Sequence, residues 1–258
     1  MKSKYVILSV LVALAGFLPQ SKAQGTLGSA DSFAVLGASA VTSAGGVGTV
    51  INGDLGVSPS AAISGFPPGI VNGTIHDNDG VAATAQANAL TAYNNLEGLA
   101  YILDLSGQDL GTLVITPGVY KFDSSAQLTG IVTLNGNGLF IFQIGSTITT
   151  ATGSSVLLIN GAQADDVFWQ VGSSATIGTD TSFVGTILAD ASIGLNTGAS
   201  LYGRALALTA AVTLDGDNVI TVPAPVPEPG SFWLFALCAS VFGAWQRLAG
   251  WRRKAGRS

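Results

Sequence analysis

Few residues in this sequence are placed for proton, metal or nucleophilic chemistry. Asp165-Asp166 and Asp215-Gly216-Asp217 are adjacent acids of the kind a β-helical polysaccharide lyase or hydrolase would cluster, with a metal or a base beside them. Both fall in turns, where Asp commonly bonds the local backbone. His76-Asp77-Asn78-Asp79-Gly80 has the opening of a calcium loop but lacks the downstream Glu, and Asn78-Asp79 reads better as a helix N-cap. His76 is the single histidine and Cys238 the single cysteine. A histidine triad, a multi-histidine metal site without a partner's ligands, a cysteine zinc site and a disulfide framework are therefore excluded from the main domain. The expectation is a protein that is not an enzyme, with no cofactor, metal or catalytic residue. What does recur is a set of short hydroxyls, Thr133, Thr147, Thr149, Thr176, Ser192 and Thr213, each beside at least one apolar residue.

The elements that carry these hydroxyls repeat. Val167-Phe168-Trp169-Gln170-Val171, Gly185-Thr186-Ile187-Leu188-Ala189 and Gly203-Arg204-Ala205-Leu206-Ala207 follow one another at a spacing of 18 residues. The segments Ser182-Phe183-Val184-Gly185 and Ser200-Leu201-Tyr202-Gly203 read as matching turns. A second strand lies inside each repeat, at Ala175-Thr176-Ile177, Ser192-Ile193-Gly194-Leu195 and Ala211-Val212-Thr213-Leu214. A short fixed period of strands and glycine turns marks a solenoid, and this period is too short for two helices. A mainly β chain follows: a β-helix with one coil per repeat.

Upstream, Ser32 to Pro59 alternates like an early coil, and the stretch from Pro59 to Thr74, with Pro67-Pro68-Gly69, reads as the cap of one end. Ala82, Ala85, Ala89, Tyr93, Leu96, Leu99 and Leu103 fall at helical spacing, predicting a helix over Asp79 to Leu103. At ~1.5 Å per residue it is about 37 Å long, the height of roughly seven or eight strand spacings, so it fits along the stack and seals one side. Strands return at Leu110, with Gly130–Leu134, Leu139–Gly145 and Ser146–Thr150.

Alternation then sorts the faces. Phe142, Trp169, Ile187 and Ala205 align inward. Their outward neighbours Ile141, Phe168, Leu188 and Leu206 are also large and apolar, so that face must be covered, and the helix is the available cover. In the second series Val132, Leu134, Ile148, Ile177, Ile193, Leu195, Val212 and Leu214 point in. The outward set is Thr133, Thr147, Thr149, Thr176, Ser192, Gly194 and Thr213: flat, bare and uncharged.

Charge is scarce and uneven. Charged residues are 10% of the 258, against about a quarter in ordinary domains. Between Gln24 and Val222 only Lys121 and Arg204 are basic against fourteen acids, leaving that span at −12. So acidic a module does not fit nucleic acid. Residues 1–23, with Lys2 and Lys4, an apolar run from Tyr5 to Leu18 and Ser21-Lys22-Ala23, read as a signal peptide, with the mature domain over 24–222. Residues 223–258 hold a Pro-rich linker, Pro227-Glu228-Pro229, an uncharged apolar run from Gly230 to Gln246 and a basic end at Arg247, Arg252, Arg253, Lys254 and Arg257. By charge alone this is a transmembrane tail with a cytoplasmic end. It also resembles the PEP-CTERM sorting signal of Gram-negative bacteria. That resemblance implies recognition by an exosortase near Pro227, Glu228 and Pro229, removal of the tail, and release or attachment at the cell surface.

Threonine holds a methyl and a hydroxyl on one stiff side chain. Repeated at strand spacing, the methyls order adjacent water and the hydroxyls pin it, so an ice crystal could take such a face as an extension of itself. The same pattern also arises because Thr suits an exposed strand. A matrix or adhesion protein associated with exopolysaccharide is the other reading, favoured by the tail and disfavoured by the scarcity of aromatic platforms. Leu27–Leu36 (LGSADSFAVL), Ile51–Pro59 (INGDLGVSP), Leu139–Gly145 (LFIFQIG), Val167–Gly172 (VFWQVG) and Gly185–Ala189 (GTILA) resemble, in order, the bacterial and fungal ice-binding proteins of the domain-of-unknown-function 3494 type. The resemblance covers most of Leu27 to Ile220. It implies a discontinuous right-handed parallel β-helix of triangular section with one long helix alongside, and adsorption of ice on a flat strand face; the chain is expected to be a monomer.

Overall fold

The computed structural model describes residues 27–44 and 48–224. The expected signal peptide, Pro227-Glu228-Pro229, the apolar run and the basic end lie outside the described residues. Among those residues no helix is long and apolar enough to cross a membrane.

The described chain is a parallel β-helix with three strands to a full coil. One coil shows the design. It runs from β16 (Val167–Val171) through β17 (Ala175–Ile177) to β18 (Ser182–Ala189), and the next adds β19 (Ile193–Leu195) and β20 (Ser200–Ala207). β18 and β20 pair over eight consecutive residues, from Ser182↔Ser200 to Ala189↔Ala207. Each turns a corner in mid-strand. Gly185 and Gly203 sit at the bend with positive φ, and a Cβ on Gly203 would lie 2.0 Å from the Gly185 carbonyl oxygen, so only glycine lets the strands stack there. The segments Ser182–Val184 and Ser200–Tyr202, expected as turns, are thus strands, and they build a third face that the repeats conceal.

Two sheets result. A 15-stranded sheet wraps two faces and a 7-stranded sheet forms the remaining one. The core between them is apolar and continuous. Tyr120, Phe142, Trp169 and Phe183 stack along the axis, with Phe142 and Trp169 centroids 4.1 Å apart at 9°. The buried indole N–H donates to the Val184 carbonyl at 2.9 Å, so the large ring enters the core with its polar atom bonded.

Coil order does not follow chain order. β1 (Phe33–Gly37) pairs with β20 on one side and β4 (Asp54–Val57) on the other. The N-terminal coils therefore stack beyond the C-terminal coil, and β7 (Ile75–Asp77) ends that side. The chain must then travel the whole stack to resume at β8 (Leu103–Asp104), which pairs with β10 (Gly118–Phe122) at the far end. Helix α1 makes this crossing, but it is shorter than its spacing predicts. It spans Gly80–Glu97, 18 residues, or about 27 Å. Nine strands from β7 to β8 need about 38 Å at ~4.8 Å each, so residues 98–102 complete the path in non-helical form. Leu99 and Leu103, assigned to the helix by spacing, lie outside it and are exposed. Gln143 ends the helix: its Nε2 donates to the Leu96 and Leu99 carbonyls at 2.7 and 2.9 Å, meeting acceptors that the last turn leaves open.

The helix buries Ala82, Ala85, Ala89, Ala92, Tyr93 and Leu96 against Leu36, Ile141, Phe168, Leu188 and Leu206. The expected cover is in place, and its alanine-rich face is what permits close approach.

At its start, the Asp79 Oδ1 accepts from the Val81 and Ala82 N–H groups at 3.0 and 2.8 Å, and Oδ2 lies 2.7 Å from His76 Nδ1. The Ala82 N–H, then His76, hold the Asp79 carboxyl below the ordinary carboxylate range. A depressed folded value means that this cap stabilises the fold above the unfolded carboxyl's pKa, ~3.9, and that the contribution is lost as pH falls through the lower folded value. Asp79→Ala is therefore expected to lower the thermal midpoint at pH 7 and to flatten its fall below pH 4. Circular dichroism melts across pH check this.

Candidate ice-binding face

The 7-stranded sheet has the order β11 (Ala126–Leu128), β14 (Ile148–Thr150), β17, β19, β21 (Val212–Leu214), β2 (Val41–Ser43), β5 (Ile63–Ser64). Each three-residue strand turns two side chains inward, such as Ile148 and Thr150 or Val212 and Leu214, and the residue between them outward, while the two-residue β5 turns Ile63 toward the core and Ser64 out. Backbone register places these outward residues in one file: Gln127, Thr149, Thr176, Gly194, Thr213, Thr42, Ser64. The residue preceding each strand or opening pair forms a second file in the same register: Ser125, Thr147, Ser174, Ser192, Ala211, Ala40, Ala62. Neighbours within it are joined, Thr147 Oγ1 donating to Ser125 Oγ at 2.9 Å and the Ser174 and Ser192 hydroxyls lying 3.0 Å apart. Every member of both files is exposed or half-exposed.

Of the six hydroxyl residues expected on this face, Thr147, Thr149, Thr176, Ser192 and Thr213 are brought together. Thr133 is not. It lies on β12 (Ile131–Asn135), which pairs with β9 (Val114–Ile115) and β15 (Ser155–Ile159) in the larger sheet. In both β12 and β14 a Thr follows an inward apolar residue, Val132-Thr133 and Ile148-Thr149, so alternation alone could not separate the two faces. Val132 and Leu134 do point inward, but beneath the third face rather than this one.

Sequence reasoning also missed members. Ser125, Gln127 and Ser174 occupy the slots that Thr147, Thr149 and Ser192 fill on neighbouring coils, and alignment of Ser174-Ala175-Thr176-Ile177 with Ser192-Ile193-Gly194-Leu195 carries the signal. Thr42 carries its own signal, since Ala40-Val41-Thr42 repeats Ala211-Val212-Thr213, but Ser64 has none. Their strands come first in the chain yet stack beyond β21.

No titratable side chain stands in either file. The nearest acids occupy the turns that border it. Asp123 pairs with Lys121 at 2.6 Å, and Asp180 and Asp217 occupy positive-φ turn positions. The acids considered for catalysis are elsewhere. Asp165 bonds Arg204 Nη1 at 2.9 Å, Asp166 is buried beside it in the chain, and Asp215 and Asp217 flank a turn closed by Asn218. Among the described residues no three histidine, cysteine or acidic side chains gather as a metal site. The face offers uncharged methyls and hydroxyls, the Gln127 amide and one glycine at strand spacing, and such a surface can order water.

Residues 35–220 match the Ice-binding-like family. The chain belongs to that family. A relative named as an ice-binding protein from Nostoc sp. (strain HG1) is 52% identical over 242 residues, covering 88% of this chain and 89% of the relative. One from Leucosporidium sp. (strain AY30) is 35% identical over 227 residues, covering 78% and 85%. Among solved structures, an ice-binding protein from an Antarctic biological consortium superposes with a TM-score of 0.74 at 48% identity, covering 77% of this chain and 91% of that one. The ice-binding protein of the Antarctic ascomycete Antarctomyces psychrotrophicus gives 0.73 at 42%, covering 77% and 98%. Membership in the Ice-binding-like family agrees with the β-helix and its flanking helix.

Proposed function

We propose that this protein adsorbs to ice through the outer face of its 7-stranded sheet. The observation that carries the reading is the register that sets Thr149, Thr176, Thr213 and Thr42 in one file on an uncharged sheet, within a family whose relatives bear ice-binding names. Strand spacing of ~4.8 Å fixes one repeat of the face. β-branched side chains hold their rotamers without help, so little side-chain entropy is lost when water on them freezes. Hydroxyls bond that layer, methyls shape it, and the layer merges with the crystal. Ice then grows between adsorbed molecules with increasing curvature, which lowers the local freezing point. No bond is made or broken in the process.

Export suits this reading, since extracellular ice is met outside the cell. Residues 1–23 support secretion, and Pro227, Glu228 and Pro229 with the following apolar and basic segments support handling by an exosortase and residence at or release from the surface. An exopolysaccharide partner rests on the tail alone. The family assignment gives no support to a matrix protein without ice activity.

Thermal hysteresis and ice-recrystallisation inhibition by the purified protein test the proposal, and absence of both removes it. The file has one gap, at Gly194. A Cβ built there meets only Thr213 Oγ1, at 3.4 Å, an ordinary contact. Gly194→Thr is expected to complete the file and to raise hysteresis, and to stabilise the strand by up to ~1 kcal/mol. Hysteresis at equal concentration, with a parallel melt, measures both effects.

A further inference from the structure

The dipeptide Asn-Gly occurs five times in this chain, at Asn52-Gly53, Asn72-Gly73, Asn135-Gly136, Asn137-Gly138 and Asn160-Gly161. Such a pair can react with itself. The glycine nitrogen attacks the asparagine side-chain carbon, a cyclic imide forms, and the side-chain nitrogen leaves as ammonia. Glycine permits this because it has no Cβ to obstruct the ring and turns freely about its backbone bonds. The reaction needs a side chain free to reach the next nitrogen, a nitrogen free to attack, and a backbone able to swing.

Four of the pairs are tied. Asn52 Nδ2 donates to Thr221 Oγ1 at 2.9 Å, and Asn72 Nδ2 to Asn52 Oδ1 at 2.8 Å. Asn160 Nδ2 donates to Asn135 Oδ1 at 2.7 Å, and the Gly136 N–H is itself engaged by the Ile159 carbonyl at 3.1 Å. These bonds must break before a side chain can turn on its neighbour, and each break opposes the reaction. Asn137 differs. It is exposed, and among the described residues neither its amide nor the Gly138 N–H has a hydrogen-bond partner in the chain. It stands between two glycines of positive φ, Gly136 at 118° and Gly138 at 143°. The turn also holds Gly138 to glycine, since a Cβ there would lie 2.9 Å from Pro117 Cβ. The packing that requires glycine thus leaves Asn137 beside an unhindered nitrogen.

We propose that Asn137 is a site of spontaneous modification, converting to aspartate and isoaspartate in the folded protein ahead of the other four. A bond forms between Gly138 N and Asn137 Cγ as the Cγ–Nδ2 bond breaks, and the Gly138 proton leaves with that nitrogen as ammonia. Water then opens the imide at either carbonyl. One opening gives aspartate, and the other routes the chain through the side chain as isoaspartate. Each conversion adds one negative charge. The turn joins β12 on the third face to β13 (Phe140–Ile144), whose Ile141 lies under the helix, so it occupies the corner away from the 7-stranded sheet. On the reading that ice seats on that sheet, the converted protein keeps its activity.

The test follows mass in the purified protein. It is held folded in mildly alkaline buffer, in parent form and as Asn137→Ser, beside a parent sample in guanidinium chloride. Peptides are fragmented to place each change of amide to acid, and a protein isoaspartate methyltransferase counts isoaspartate. Circular dichroism melts confirm that Asn137→Ser folds. In the folded parent the change is expected at Asn137 several-fold ahead of Asn52, Asn72, Asn135 and Asn160. In guanidinium all five change together, and Asn137→Ser loses the early isoaspartate signal. A folded parent in which any of the other four keeps pace with Asn137 overturns the proposal. So does one unchanged at Asn137 when the unfolded sample has converted. A lead for Asn137 that persists in guanidinium assigns it to local sequence and overturns the proposal as well. Hysteresis is expected to be equal before and after conversion, and a fall in step with the mass change overturns the placing of this corner away from ice. A parent without hysteresis removes the ice reading and leaves the mass result standing.

Discussion

Thr176→Tyr and Thr213→Tyr are each expected to abolish most of the hysteresis attributed to the 7-stranded face while leaving the melt unchanged. Both residues are exposed at the middle of their strands, so neither contributes core packing and the larger ring has room. What the ring does is stand proud of a flat surface. A rigid lattice cannot adapt to it as a flexible partner would, so the neighbouring rungs on that side lose contact as well. The effect is therefore larger than the deletion of one hydroxyl, and Thr176→Val, which keeps the shape and removes only the hydroxyl, is expected to cost less. Hysteresis and recrystallisation inhibition at matched concentration separate the cases. Unchanged activity in both tyrosine variants would remove this face as the site.

The second large effect is on stability. Arg204 is 3% exposed. Its guanidinium bonds the Asp31 carboxylate through Nη2 at 2.8 Å, the Asp31 carbonyl through Nε at 2.7 Å, and Asp165 through Nη1 at 2.9 Å. These partners come from the short turn Gly28–Ser32 before β1 and the turn Ala164–Asp166 before β16, so one side chain on β20 ties the N-terminal coils to the C-terminal ones. Burial pushes the Asp31 carboxyl up, and Arg204 opposes that shift without cancelling it. The ion pair is thus held against desolvation, and its removal is not neutral. Arg204→Ala leaves the Asp31 and Asp165 carboxylates without their shared cation. Breaking a fully buried pair costs about 3–5 kcal/mol; with Asp31 35% and Asp165 19% exposed, water takes up part of that, and the expected loss is about 2–3 kcal/mol, or roughly 7 °C in a domain of this size. Thermal and urea melts of the variant check it, and a midpoint equal to the parent's would show that packing alone joins the two halves.

Much of the architecture was written in local pattern. The 18-residue period, the inward files through Trp169 and Ile187, and the apolar outer residues Phe168 and Leu188 led to a solenoid with one side under a helix. Alternation and glycine placement are local properties, and each coil repeats the solution of the last. The errors have equally local causes. Leu99 and Leu103 keep helical spacing past Glu97, but the chain there runs on into strand β8, and the last helical carbonyls go to Gln143 instead of a further turn. Ser182–Val184 reads as a turn because Gly185 follows it, yet that glycine bends a strand and does not end one.

The sequence by itself determined that this protein is a β-solenoid with a hydroxyl-bearing, uncharged surface, because side-chain alternation, residue inventory and charge are properties of the chain read in order. Only the tertiary structure decided which hydroxyls share a face. Thr133 and Thr149 have the same local pattern but lie on different sides of a coil, since the corner between them is set by the turn from β11 to β12. Thr42 and Thr213 lie 171 positions apart in sequence but are register partners. Their neighbourhoods share the triplet Ala-Val-Thr, but their pairing follows from the order in which coils stack, which is a matter of long-range strand pairing.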